Sequence, residues 1–171
     1  MNPFIRNICT LVISLILAAP AFSSPAFVLR SGTGETLTED SIAGKIVLCF
    51  YESRDTTDVN RKLKDSLMAA INASEVNVPF VLAVADCSGA TWPISAFYKK
   101  ALREQSKKIG YTLWGDWTGK MREDFGFAVD DANFPLIDPD GRVLYSARGR
   151  VSDSGIEEIV SLVTGLMEEV Q

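Results

Sequence analysis

Two stretches of strand length bracket a stretch of helical period, and this arrangement restricts the topologies open to the chain. Residues 46–51, Ile-Val-Leu-Cys-Phe-Tyr, are apolar throughout and rich in β-branched and aromatic side chains, as expected of a strand buried on both faces. Such a strand belongs at the centre of a parallel sheet. From Thr57 or Asp58 the period changes: Val59, Leu63, Leu67, Ala70 and Ile71 mark one face of a helix whose start is acidic and hydroxyl-rich. A second buried strand, residues 80–86, follows Pro79. The three together form a βαβ unit, which should cross over right-handed.

The remaining segments can be placed around this unit. Phe27-Val28-Leu29 leads through Gly34 to Leu37 and then to the turn Ala43-Gly44-Lys45. A second helix over residues 94–109 puts Ile94, Phe97, Tyr98, Ala101 and Leu102 on one face and stops at Gly110. A short strand is expected near residues 111–114 and a short helix near 118–124. Residues 134–137 and 143–147 flank Asp138-Pro139-Asp140-Gly141, a tight reversal between antiparallel strands. The last helix is expected to open on a capping box from Ser154 to Glu157 and to bury Ile156, Ile159, Val160, Val163, Leu166 and Met167. No repeat or interdomain linker interrupts the pattern.

The first residues read as an export signal: a cation at Arg6, an apolar run over 8–19, and Ala19-Pro20-Ala21 as a small-x-small cleavage site. The run is shorter than the ~20 residues that cross a bilayer as a helix. Cleavage after Ala21 or Ser23 would leave one domain, residues 22–171, in the periplasm, with no remaining membrane span. The net charge of −5 disfavours nucleic acid or anionic lipid as a partner of the whole chain. Histidine is absent, which excludes Ser-His-Asp triads, Cys-His dyads and zinc sites of the His-Glu-x-x-His kind. Beyond the signal only Cys49 and Cys87 remain, too few for a disulfide-built scaffold.

Phe27-x-Leu29, Gly34, Leu37, Gly44-Lys45, the 47–51 strand and Phe134-Pro135-Leu136-Ile137-Asp138-Pro139-Asp140-Gly141-Arg142-Val143 resemble the thioredoxin-like superfamily in its redoxin and peroxiredoxin-related branch. The missing thiols, the helix over 93–109 and Trp114-Gly-Asp-Trp117 look most like the YtfJ family of exported bacterial proteins. The resemblance implies an α/β fold, a thioredoxin-like three-layer sandwich. Its mixed sheet would have a parallel centre and a C-terminal β-hairpin, with helices on both faces. It also implies a cis-proline at Pro135, in a loop that faces the family's cysteines and receives extended peptides through backbone hydrogen bonds.

The chemistry usual to that fold needs a thiolate at the first turn of the helix after the central strand, where the positive helix end lowers its pKa. Residues 52–58 here are Glu, Ser, Arg, Asp, Thr, Thr and Asp, and in the peroxiredoxin register, with Thr56 in the family's threonine slot, the cysteine position is Val59. Both registers lack the thiol. Cys49 reads as a small buried hydrophobe, and Cys87 stands beside Asp86, whose charge should raise its pKa. A Cys49–Cys87 disulfide stays open as an alternative.

The expected role is therefore a non-redox binding or accessory protein, without cofactor or metal. Its candidate binding residues are Glu52, Ser53, Arg54, Asp55, Phe134 and Pro135, and its expected partner a peptide or envelope protein. The alternative is a one-cysteine thiol oxidoreductase or peroxidase-like enzyme using Cys87. Asp86, Asp116, Asp55 and Glu52 fall near the edge where open α/β sheets place ligands, but capping or solvated carboxylates account for them without a cation. Arg54 beside the free helix end is a candidate anion contact. Lys99, Lys100, Arg103, Lys107 and Lys108 read as a solvated face. Trp92, Trp114 and Trp117 read as core or loop anchors, with a groove between Trp114 and Trp117 as the alternative.

Overall fold

The computed structural model describes residues 25–74 and 78–169; the export signal expected at 1–21 lies outside them. In chain order the elements are β1 (Val28–Ser31), β2 (Thr36–Thr38), a 3-10 turn (Glu39–Ile42), β3 (Val47–Glu52), α1 (Arg61–Asn72), β4 (Phe80–Asp86), α2 (Ile94–Ile109), β5 (Leu113–Asp116), α3 (Lys120–Phe125), β6 (Asn133–Ile137), β7 (Val143–Arg148) and α4 (Asp153–Glu169). They build one seven-stranded sheet of order β2-β1-β5-β4-β3-β6-β7. β3, β4 and β5 are parallel, while β6 runs antiparallel to β3 and forms an antiparallel hairpin with β7. This is the expected thioredoxin-like α/β fold.

Side-chain alternation along β3 divides the core into two layers. Leu48 and Phe50 turn to the layer containing Leu63, Leu67 and Ile71 of α1, Phe134 and Leu136 of β6, and Ile156, Ile159 and Val163 of α4. Val47, Cys49 and Tyr51 turn to the other, with Leu29, Leu82, Val84, Trp114 and Met121. Each fully buried Leu, Ile or Phe contributes about 1.5–3 kcal/mol of transfer free energy. The strand is therefore held from both sides, as its unbroken apolar run requires. No helix among the described residues is long and apolar enough to cross a membrane.

Three sequence expectations change here. α1 begins at Arg61, several residues later than its apolar period implied. Residues 53–56 instead close a local turn in which the Ser53 N–H donates to Thr56 Oγ1 at 2.9 Å and the Thr56 N–H to the Ser53 carbonyl at 3.2 Å. α4 begins at Asp153, and the Gly155 N–H donates to Ser152 Oγ at 3.2 Å, so the cap is Ser152 rather than a box from Ser154. Pro135 is the third residue of β6, inside the ladder and paired with Ser146, not in a loop before the last strands. Its bond to Phe134 is not cis; the cis X-Pro bond among the described residues is Trp92–Pro93. Pairing of β6 with β3 skips from Leu48↔Leu136 to Tyr51↔Asn133, the stretch where the Pro135 nitrogen has no hydrogen to give.

Candidate functional site

The polar residues of greatest interest collect where β3, β4 and β5 end, the edge at which open α/β sheets hold their ligands. β3 ends in Glu52, whose side chain is only 8% exposed. Its Oε2 accepts a 2.6 Å bond from Lys64 Nζ, one turn into α1, and the same ammonium donates to the Thr57 carbonyl at 2.8 Å and stands over the Phe50 ring. Glu52 Oε1 has no hydrogen-bond partner, the one such buried side-chain atom among the described residues. Burial pushes the Glu52 carboxyl above its ordinary value, against the opposing pull of Lys64.

A second constellation hangs from β4 and β5. Asp116 is buried and accepts from Tyr51 Oη (3.2 Å), the Gly119 N–H (2.8 Å), Thr118 Oγ1 (3.3 Å) and the Arg122 N–H (3.1 Å), so it caps α3 and ties it to β3. Burial, then the charges of Asp116 and Asp86, push the Tyr51 phenol up. Asp86 Oδ1 accepts from the Ser88 N–H (3.0 Å) and Oγ (2.7 Å), and its Oδ2 from the Arg122 guanidinium at 2.7 Å. Burial alone would raise the Asp86 carboxyl, but the Ser88 bonds and Arg122 outweigh it and hold it below its ordinary value. These groups are satisfied by one another.

Both thiols are free and enclosed. Cys49 is 0% and Cys87 1% exposed. Burial, with Glu52 nearby, drives the Cys49 thiol up, and burial with Asp86 and Asp116 pushes Cys87 up to about 12. A bond between them is not present. Cys49 pairs with Leu82, and Cys87 lies five residues further along, on the order of 16 Å at strand rise, against a disulfide limit of about 7 Å.

The remaining sequence candidates divide. Arg54 and Asp55 are exposed and Ser53 is half-buried in its turn. α1 starts at Arg61, seven residues beyond Arg54, so the helix end on which the expected anion contact depends is not at Arg54. Asp58 pairs with Arg61 on the surface, and neither it nor Asp55 caps α1. Phe134 is in the core and Pro135 is buried within its strand, so neither offers surface to a peptide. Among the described residues no group of carboxylates and thiols is placed to hold a metal ion. Trp114 is core, Trp117 donates to the Arg30 carbonyl at 3.1 Å, and Trp92 stands 85% exposed, so no groove opens between Trp114 and Trp117.

Sequence reasoning did not single out Lys64, Tyr51, Ser88, Arg122 or Asn60. Asn60 donates to the Gly149 carbonyl and accepts from the Val151 N–H, both at 2.9 Å, fastening the start of α1 to the loop before α4. Asp86-x-Ser88 and Asp116-x-x-Gly119 carry the local spacing of side-chain-to-backbone turns and were findable; the long-range bonds of Asn60 and Arg122 have no local signal. A cavity of about 380 Å³ lies at the opposite edge of the sheet, between the 3-10 turn and the β6–β7 reversal, far from all of these groups.

No protein-family profile matches the sequence, and no curated protein matches it. Among solved structures the chain is similar to the pneumococcal exposed lipoprotein thioredoxin of Streptococcus pneumoniae, at 20% identity over 81% of this chain and 99% of that one, with a TM-score of 0.60. It is similar also to a thiol-disulfide oxidoreductase of Bacteroides fragilis (16% identity, 82% and 98% covered, TM-score 0.56) and to a thiol peroxidase of Chromobacterium violaceum (15%, 82% and 83%, 0.55). At these identities the likeness establishes the thioredoxin-like fold.

Proposed function

We propose that this is an exported, periplasmic thioredoxin-fold protein that has lost thiol chemistry and serves as a binding or accessory protein, as the resemblance to the YtfJ family implies. One observation carries the reading. The turn between β3 and α1 holds no cysteine, and the two thiols of the described chain are enclosed, 0% and 1% exposed, and pushed toward the unreactive neutral form. The name of the pneumococcal neighbour, an exposed lipoprotein, supports export. A peptide or envelope protein is the partner class the reading favours, received near the Glu52 end of the sheet rather than at Pro135.

The test is catalysis itself. Reduction of insulin disulfides and consumption of hydrogen peroxide, each with dithiothreitol as reductant, should run at the uncatalysed rate with the wild-type protein and with Cys87→Ala alike. Turnover by the wild type that Cys87→Ala abolishes would replace the binding reading with a one-cysteine enzyme.

A further inference from the structure

Four large apolar side chains stand exposed between residues 92 and 98: Trp92 at 85%, Phe97 at 72%, Ile94 and Tyr98. Trp92 is just ahead of α2 and the others are in its first turns. The same helix holds five of the chain's 17 basic residues and one of its 22 acidic ones, Glu104. The net charge of −5 therefore belongs to the rest of the molecule, against a local excess of cations here.

The body fixes which side of α2 looks outward. Leu102 is buried and Ser106 Oγ accepts from the Leu113 N–H at 2.9 Å, so the 102/106 side faces the sheet. At 100° per residue, Phe97, Lys100, Glu104, Lys107 and Lys108 all lie roughly 120° or more from that contact. They form an outward crest, exposed at every position. Ile94 flanks the crest at about 100° on one side and Arg103 at about 80° on the other. Lys99 is turned further toward the body and stands over Trp117. Lys100 and Glu104 approach to 3.7 Å, an exposed pair that leaves both charges largely in water. One convex face about 24 Å long thus carries aromatic side chains at its start and lysines over the remainder.

We propose that the crest of α2, with Trp92 ahead of it, rests on the surface of an anionic phospholipid bilayer. Trp92 and Phe97 enter the boundary between headgroups and acyl chains, and Lys100, Lys107 and Lys108 meet the lipid phosphates. The helix lies on the membrane without crossing it, in keeping with the absence of a spanning helix among the described residues. This goes beyond the partner binding proposed above and does not depend on it. Charge and shape together select a bilayer. Four of the five cations are lysines, point charges suited to a diffuse anionic surface rather than to the paired bonds arginine makes with a fixed carboxylate. Side chains that protrude from a convex face need depth in whatever they meet; a protein offers it only at a matching pocket, a headgroup layer at any position. Two copies of the chain facing each other would set lysine crest against lysine crest. The acidic remainder does not cancel the attraction, because charges more than about 8 Å away are screened at physiological salt.

The test floats vesicles of equal parts phosphatidylglycerol and phosphatidylcholine, or of phosphatidylcholine alone, with purified residues 22–171, which contain the whole described fold. Binding should be at least about tenfold tighter to the anionic vesicles and should be lost as sodium chloride rises from about 0.05 to 0.5 M. Phe97→Ala should weaken it about tenfold with no change in melting temperature, since the side chain is exposed. Lys100→Gln, Lys107→Gln and Lys108→Gln together should weaken it at least about tenfold. Tryptophan emission should shift to the blue on binding, and Trp92→Phe should remove the shift. No binding, equal binding to both vesicles, or binding and emission that none of these variants alters overturns the proposal. So does binding of soluble polyglutamate while vesicles are ignored, which would assign the crest to an acidic protein. A sedimenting dimer that Phe97→Ala dissolves while vesicles are ignored overturns it as well.

Discussion

A carboxylate at the end of a central strand is costly to bury, and Glu52 is kept there by a single ammonium that meets one of its two oxygens. The imbalance has a sign. Because burial raises the folded-state value above the ordinary 4.5, the native protein binds more protons than the unfolded chain between those two values. Stability from this group therefore falls as pH rises from about 4.5 through the raised value. Urea midpoints across roughly pH 4 to 7.5 should decline in the wild type relative to Glu52→Gln, whatever constant offset the substitution brings. Parallel curves would mean that Lys64 already compensates the burial in full. The residue itself was visible in the sequence as the first polar position after an apolar run. Its partner was not, because Lys64 reads as one more solvated lysine on a helix until the turn at 53–56 is known to bring α1 back over the strand end.

At the scale of elements, periodicity named the helices and their order but not which stripe of each would be buried. Ile94, Phe97, Tyr98 and Ala101 recur at the spacing of a core face, yet the body takes Leu102 and Ser106 instead. The reason is the close seat at Gly32, where an added Cβ would lie 2.4 Å from the Lys99 carbonyl and 2.8 Å from the Arg103 nitrogen. Both are backbone atoms and cannot give without moving α2. Gly32→Ala should therefore cost about 1–3 kcal/mol in urea unfolding; a cost near zero would show that α2 is free to shift and that its rotation is not set there. Pro135 went astray for a related reason. A proline before a short apolar run matches both a loop preceding a strand and an interruption within one, and only the pairing of Asn133 and Phe134 with β7 separates the two.

For the molecule as a whole, the βαβ unit and the terminal hairpin were legible because their signals are local: unbroken apolar runs, a change of period, and Gly141 at φ +80° in the reversal it permits. The two-layer core follows from alternation along β3 alone. The sites were less legible, since Asn60 reaches Gly149 and Val151, and Arg122 reaches Asp86, across separations no local pattern encodes. At the turn after β3, where the chemistry usual to this fold needs a thiolate, Ser53 is hydrogen-bonded to Thr56 and the neighbouring Glu52 keeps one carboxylate oxygen without a partner. The most direct check is the rate at which iodoacetamide modifies Cys49 and Cys87 in the folded protein across pH, mapped by peptide mass. Slow modification of both, rising only at strongly alkaline pH or on unfolding, is the predicted result. Rapid modification of Cys87 below pH 7 would contradict the account and make the protein a thiol enzyme.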